Sequence, residues 1–217
     1  LLLLAFIYLI HRDYKLFLSL GPGGTPSTIA GYLRIKFLSL FALRNPYLPA
    51  PIPANLSRRQ YLDDLPKRPG PRPQVRGIAP HRQTDQRPSH ALFEQLRIRI
   101  NSLAAGPNGS ALRLGTSCLE KHGPGLFARQ PIAWTRHCNG EVCHSHPSDG
   151  SSHLTLHPRD AALVLERGWG ERHPLSKGGW LARFVPAGFL MVYSPRDEEE
   201  VEVVARIVAA AVWWVGG

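Results

Sequence analysis

Cysteine is scarce. Three residues in 217, Cys118, Cys138 and Cys143, are too few and odd in number for a disulfide framework. No Cys-x-x-Cys pair is present to build a structural zinc site. The thiols are therefore read as reduced and mostly buried, which goes with a body facing the cytosol. Negative charge is scarce as well: 16 Asp+Glu stand against 26 Lys+Arg, a formal net charge of +10. Such a surplus favours an anionic partner. Zinc-finger, RNA-binding and basic-zipper signatures are all missing, and the cations are scattered through residues 12–99 without a dense patch. Nucleic acid is thereby set aside, and a membrane surface is the better account of the charge. Apolar length is also short. Leu1–Ile10 (LLLLAFIYLI) is uncharged, yet its ten residues are half of the roughly 20 that a spanning helix needs.

What is present starts with that run. It opens without Met and leads into His11-Arg12-Asp13-Tyr14-Lys15, not into a small-residue cleavage site. Residues 1–20 are accordingly read as the end of a membrane-anchor helix, a single pass with the cations on the cytosolic side. The endoplasmic reticulum is one membrane that suits it. Residues 21–88 read as a membrane-proximal and proline-rich extension. Gly21–Pro26 is turn-rich but lacks the GK[ST] ending of a phosphate loop. Ile29–Leu43 embeds Arg34 and Lys36 in an apolar stretch, which suits either an interfacial helix or a helix packed on the main domain. Ser57–Leu65 is expected to be a short helix. Pro66–Pro80 is basic and extended, either a linker wrapped over the domain or a PxxP docking site for another protein.

Residues 89–217 read as an α+β domain, a small, mainly antiparallel sheet packed by helices. Leu92, Leu96 and Ile100 have helical spacing, with Ser89 as cap. Strands are expected at Ala111–Leu119, Gly125–Phe127, Ile132–His137, Gly140–His146, Ser151–His157 and Phe189–Tyr193. Helices are expected at 158–167, opened by Pro158 and closed by Gly168, and at 196–215. The second follows Ser194-Pro195-Arg196-Asp197, read as a capping box, and carries Asp197–Glu200 in its first turn, where the macrodipole favours them. Gly168–Leu175 is expected to be a loop.

The chemistry-bearing feature is the turn Pro147–Gly150 with histidines on both flanks. Side chains alternate along a strand, so His144 and His146 share a face. A turn centred on Ser148-Asp149 sets His144 opposite His153, and one centred on Asp149-Gly150 sets His146 there. Either way three imidazoles meet on one face. Neutral imidazoles bind metals, and their pKa near neutrality suits acid–base work. The bland alternative is a polar, exposed hairpin face. Glu141 falls on the opposite face by parity and no carboxylate has an obvious metal-ligand spacing, so acid–base work ranks above a metal. His11 and His81 lie outside this region and are read as uninvolved.

Four stretches carry a family likeness. The first is Arg12-Asp13-Tyr14 with Phe17-Leu18, Gly21-Pro22, Gly31-Tyr32 and Leu38–Phe41. The second is Leu62, Asp64-Leu65-Pro66, Arg72-Pro73 and Arg82-Gln83. The third is Thr116-Ser117 with His122. The fourth, and most specific, is His144-x-His146, His153-Leu154, Gly168-Trp169-Gly170-x-Arg172-His173-Pro174-Leu175 and Tyr193-x-Pro195-Arg196-x-Glu198-Glu199-Glu200. In these the chain resembles the fungal luciferases, membrane-attached enzymes that oxidise 3-hydroxyhispidin with emission of light, and the wider luciferase-domain family. The resemblance implies an oxygenase that takes a hydroxypyrone and molecular oxygen and needs no cofactor or metal. It makes His144, His146, His153 and His173 the candidates for base and proton relay. Arg172 would hold the substrate anion, Trp169 would stack on its ring, and His122 matches a family histidine. His144, His153 and His173 are expected to converge on one cavity, with Arg172 and Trp169 at its edge, and His122 lies outside the main cluster. The alternative is a non-catalytic, membrane-attached member that binds a small ligand or a protein.

Overall fold

The computed structural model describes residues 1–105, 109–132 and 137–216. Its centre is a six-stranded antiparallel sheet, confirming the α+β class. The strands are β3 (Leu112–Thr116), β4 (Pro124–Ala128), β5 (Glu141–Ser145), β6 (Ser152–Thr155), β7 (Gly170–Arg172) and β8 (Phe189–Val192), in the spatial order β3-β4-β5-β6-β8-β7. A two-stranded ribbon, β1 (Val75–Gly77) and β2 (His81–Gln83), lies apart from it in the ladder. The helices are α1 (Leu2–Ser19), α2 (Ile29–Ser39), α3 (His90–Ala105), α4 (Pro158–Glu166) and α5 (Glu198–Gly216).

Alternation along the strands divides the sheet into two unlike faces. Leu126, Leu154, Leu190 and Val192 point to one side and pack against Val201, Val204, Ile207, Val208 and Ala211 of α5, with α3 alongside. The stripe on α5 is the 3.6-residue repeat visible in the sequence. The other face turns His144, His153 and Phe189 toward the N-terminal segment. There Phe17 of α1, Tyr32 and Ile35 of α2, and Ile78 form a second, smaller cluster with Leu175, Val185 and Phe189.

Several local expectations are corrected. Gly168–Leu175 is not wholly a loop, because Gly170–Arg172 forms the edge strand β7 against β8. Gly168 itself keeps the expected place after α4, with φ +83. Ser57–Leu65 is not helical: its backbone N–H groups at Tyr61 and Leu62 donate to the Asp160 carboxylate at 3.0 and 2.8 Å, which frees Leu62 and Leu65 to plug into the core. Ser194 does not cap α5. Its hydroxyl accepts from Gln83 Nε2 at 2.7 Å, and Asp197 Oδ1 takes the Glu200 N–H instead. The strand expected at 132–137 falls mostly outside the described residues, and His137–Gly140 is a 3₁₀ turn.

The thiol expectation is also corrected. Cys118 and Cys138 are joined by a disulfide across a Cα–Cα distance of 5.7 Å, leaving Cys143 as the buried free thiol. The folded chain brings the loop after β3 beside the entry to β5, a proximity that a sequence separation of 20 residues does not announce. The anchor expectation is not supported either: no helix among the described residues is long and apolar enough to cross a membrane. The second half of α1 packs on α2, with the Tyr14 and Tyr32 rings 5.3 Å apart, while Leu1–Ile10 stay exposed.

The proline-rich arm is fastened along its length. Arg72 donates to the carbonyls of Gly170 and Leu165 at 2.7 and 2.5 Å, and Arg68 N donates to Arg167 O at 2.8 Å. It is a wrapped strap, and its ribbon β1–β2 carries Ile78 and His81 onto the polar face of the sheet.

Candidate active site

The hairpin β5–β6 pairs His144 with His153, the register set by a turn centred on Ser148-Asp149. Within the turn the Gly150 N–H donates to His146 O at 2.8 Å. Gly150 has φ +75, and a Cβ there would meet Pro88 at 2.3 Å, so this position needs glycine. His153 is the hub of a histidine cluster. Ring centroids lie 5.3 Å from it at His144, 4.7 Å at His146, 5.5 Å at His173 and 5.3 Å at His81. All five imidazoles are buried. The four catalytic candidates therefore converge, and the exposed-hairpin alternative is excluded. Sequence reasoning missed the fifth member, His81, because it sits on the strap, more than 60 residues before the hairpin. The only pointer was its place beside the Arg82-Gln83 element of the family likeness.

Hydrogen-bond logic fixes the state of most rings. Glu141 Oε1 lies 2.7 Å from His144 Nδ1 and also accepts from Ser117 Oγ at 2.6 Å, while the Cys118 N–H donates to Oε2 at 2.8 Å. The carboxylate only accepts, so His144 carries its proton on Nδ1. Its Nε2 is buried and without a hydrogen-bond partner, and in the neutral ring it is the nitrogen that carries the lone pair. Ser151 donates to Asp149 Oδ1 at 2.8 Å and so must accept from His146 Nδ1 at 2.9 Å, leaving His146 Nε2 bare. That nitrogen faces His153 Nδ1 at 3.0 Å, and His153 Nε2 faces His81 Nδ1 at 3.1 Å. His173 is spent at both ends: Nε2 donates to Ile78 O at 2.9 Å and Nδ1 accepts the Leu175 N–H at 3.2 Å. Burial pushes His146 down to about 3, and burial followed by the neighbouring imidazoles puts His153 and His173 well below the usual range. These rings are neutral at physiological pH.

Glu141 reaches His144 because of a β-bulge, which corrects the parity argument. Leu126 pairs with Cys143 but Phe127 pairs with Glu141, so Val142 is an extra residue in β5. One inserted residue reverses alternation beyond it. Val142 and Cys143 both enter the apolar core, and Glu141 returns to the histidine face.

His144, His153, His173 and His81 line a cavity of about 410 Å³ closed by Ile78, Leu119, Leu175, Val185 and Phe189. Glu120 enters its wall, its Oε2 3.9 Å from His146 Nε2 and its other oxygen paired with Arg82. Exposed Trp180 and Phe184, with Leu38 and Arg34 of α2, form the mouth. A larger cleft of about 840 Å³ lies between α1, α2 and the β1–β2 ribbon, but none of the five histidines lines it. The smaller cavity is therefore the candidate site. Its volume lies in the range of small-molecule pockets, with apolar walls and a few convergent polar groups.

The remaining expected groups lie elsewhere. Trp169 is on the helix-covered face, its Nε1 donating to Pro66 O at 2.6 Å under the Arg68 guanidinium. Arg172, one residue out of phase with His173, faces away and holds the carbonyls of Ser176 and Leu48. Neither is at the cavity edge. The residue between them that does face the cluster is Glu171, with Oε1 3.5 Å from His81 Nε2 and Oε2 accepting from Tyr193 at 2.9 Å. His122 is exposed in the loop before β4.

Comparison with known proteins gives the same region a family. A luciferase-domain model matches residues 139–211, which hold the hairpin histidines and His173 but not His81. The luciferase of Armillaria ostoyae is 32% identical over 98% of this chain and 83% of its own length. The luciferase of Armillaria mellea is 32% identical over 98% and 84%, and that of Neonothopanus nambi 31% over 95% and 81%. No solved structure matches. The likeness runs through the N-terminal strap as well as the sheet, and on it the chain belongs to the luciferase-domain family.

Proposed function

We propose that this chain is a luciferase-type oxygenase that takes an electron-rich hydroxypyrone and molecular oxygen in the histidine-lined cavity. The bare His144 Nε2, backed by Glu141, carries the reading. Its ring lines a largely apolar chamber and is oriented from behind by a carboxylate, as in other activated histidines. An acidic ring hydroxyl placed against it loses its proton, and the resulting enolate is the electron-rich species that oxygen chemistry requires. His146, His153 and His81 stand behind as relay partners, and the apolar walls keep water from a reactive intermediate. The relatives' name, luciferase, agrees with this chemistry. Arg172 and Trp169 support the walls from outside and do not meet substrate.

The test is to record oxygen uptake and photons together while the full chain is incubated with a panel of hydroxypyrones. We expect oxygen uptake in the wild type and a loss on the order of 100-fold in His144→Ala. Saturable binding without oxygen uptake would make the chain a non-catalytic ligand-binding member of the family.

We further place the chain against a membrane surface. Leu33, Phe37 and Leu40 of the α2 region, Trp180 and Phe184 at the cavity mouth, and Leu1–Ile10 of α1 are exposed apolar groups, with Arg34 and Lys36 among them. Exposed aromatics beside cations suit a headgroup layer. The Cys118–Cys138 bond favours an oxidising compartment for the domain over the cytosol. Recovery of the full chain in the soluble fraction at moderate salt would overturn the membrane placement.

A further inference from the structure

We infer that His144, His146 and His153 form a binding site for one divalent first-row transition-metal ion at the floor of the cavity. One nitrogen from each lies within 4.8 Å of the others. The outward-facing nitrogens are engaged, as they are around a bound ion: His144 Nδ1 by Glu141, His146 Nδ1 by Ser151 and through it Asp149, and His153 Nε2 by His81. Such outer partners fix the tautomer and orientation of metal-binding imidazoles. The inner nitrogens are His144 Nε2, His146 Nε2 and His153 Nδ1. The last two are 3.0 Å apart, close to the ~3 Å that separates two ligand nitrogens at about 2.1 Å from one ion. The buried His144 Nε2 has no hydrogen-bond partner, an arrangement whose cost a ligated ion removes. Glu120 Oε2, 3.9 Å from His146 Nε2, stands on the cavity side as a fourth ligand. Imidazole and carboxylate donors select iron, zinc or copper over magnesium or calcium.

Two rival groupings fail on the same logic. His173 in the set His81, His153 and His173 has both nitrogens committed to backbone, and in the set Cys118, Cys138 and Glu141 the sulfurs are bonded to each other. The inference deepens the proposed function and rests on its cavity. With an ion in place His144 Nε2 would be taken up as a ligand, and the pyrone oxygen would replace Glu120 Oε2 on the ion and pass its proton to that displaced carboxylate.

The experiment uses the full chain without a histidine tag. Its metal content is measured as purified, then after chelation and titration with Zn(II) in air and Fe(II) without air. We expect one ion per chain, loss of stoichiometric binding in His144→Ala, and binding weakened 10- to 100-fold in Glu141→Gln, which keeps side-chain size. The exposed His122→Ala variant should bind as the wild type does, and thermal melting with and without ion reports on folding of every variant. Absence of stoichiometric binding, or binding indifferent to both His144→Ala and Glu141→Gln, overturns the site. Undiminished oxygen uptake by chelated, metal-free protein overturns the ion's part in turnover while leaving the oxygenase reading standing.

Discussion

The two faces of the sheet are built by different physics. The face under α3 and α5 is held by apolar burial, which is non-directional and tolerates local error. The face under the N-terminal strap buries five imidazoles and the carboxylates Glu141, Asp149 and Glu171, and each must find a partner or cost free energy. One face needs only the right residue types at the right period. The other needs particular atoms at hydrogen-bond distance, some contributed from far away in the chain. The contrast implies that substitutions on the first face act on stability, and those on the second on chemistry.

The strongest test of that contrast is Ile207→Ala in α5. Ile207 is fully buried against the sheet, and its truncation should cost about 2–5 kcal/mol in urea denaturation while turnover per folded molecule is unchanged. A fall in turnover per folded molecule would show that the faces are not separable. Next comes the Cys118–Cys138 bond, which closes a loop of about 20 residues and should contribute about 3 kcal/mol. Cys118 N–H also donates to Glu141, so Cys118→Ser should lower the melting temperature and blur the separation by loosening Glu141 behind His144.

On the polar face, His81→Ala should reduce oxygen uptake on the order of 100-fold, with far less loss of stability than Ile207→Ala. His122→Ala, in an exposed loop, should leave it near wild type. Equal, small effects from both would make the imidazole cluster structural. The smallest effect is expected at Asp13→Asn in the cover over this face. Burial alone would raise the Asp13 carboxyl, but hydrogen bonds from Lys36 and Tyr32 hold it below the ordinary carboxylate range. Its contribution is therefore complete above the unfolded value and fades as pH falls through the lower folded one. Because Asp13 is partly exposed and screened, the change should be below about 1 kcal/mol, read as faster amide exchange in α1 and α2.

Sequence alone determined the parts that depend on local pattern. The 3.6-residue stripe of α5, proline and glycine at the ends of α4, and alternation in β5 and β6 follow from side-chain geometry within one element. So did the convergence of His144, His146 and His153, since two strands joined by a four-residue turn leave few registers. Tertiary structure decided the rest. Val142 bulges because two consecutive apolar side chains enter the core together, and this carries Glu141 to the other face, against strict alternation. His81 arrives on a strap positioned by Asp149 accepting the Gln83 N–H at 2.8 Å, a contact between residues 66 apart. β7 turns Glu171 inward and Arg172 away, which depends on pairing with β8 and has no local signal. Long-range partners choose among local alternatives that are nearly equal in energy, so the identity of the polar face was settled by the fold, while the apolar face was settled by composition and period.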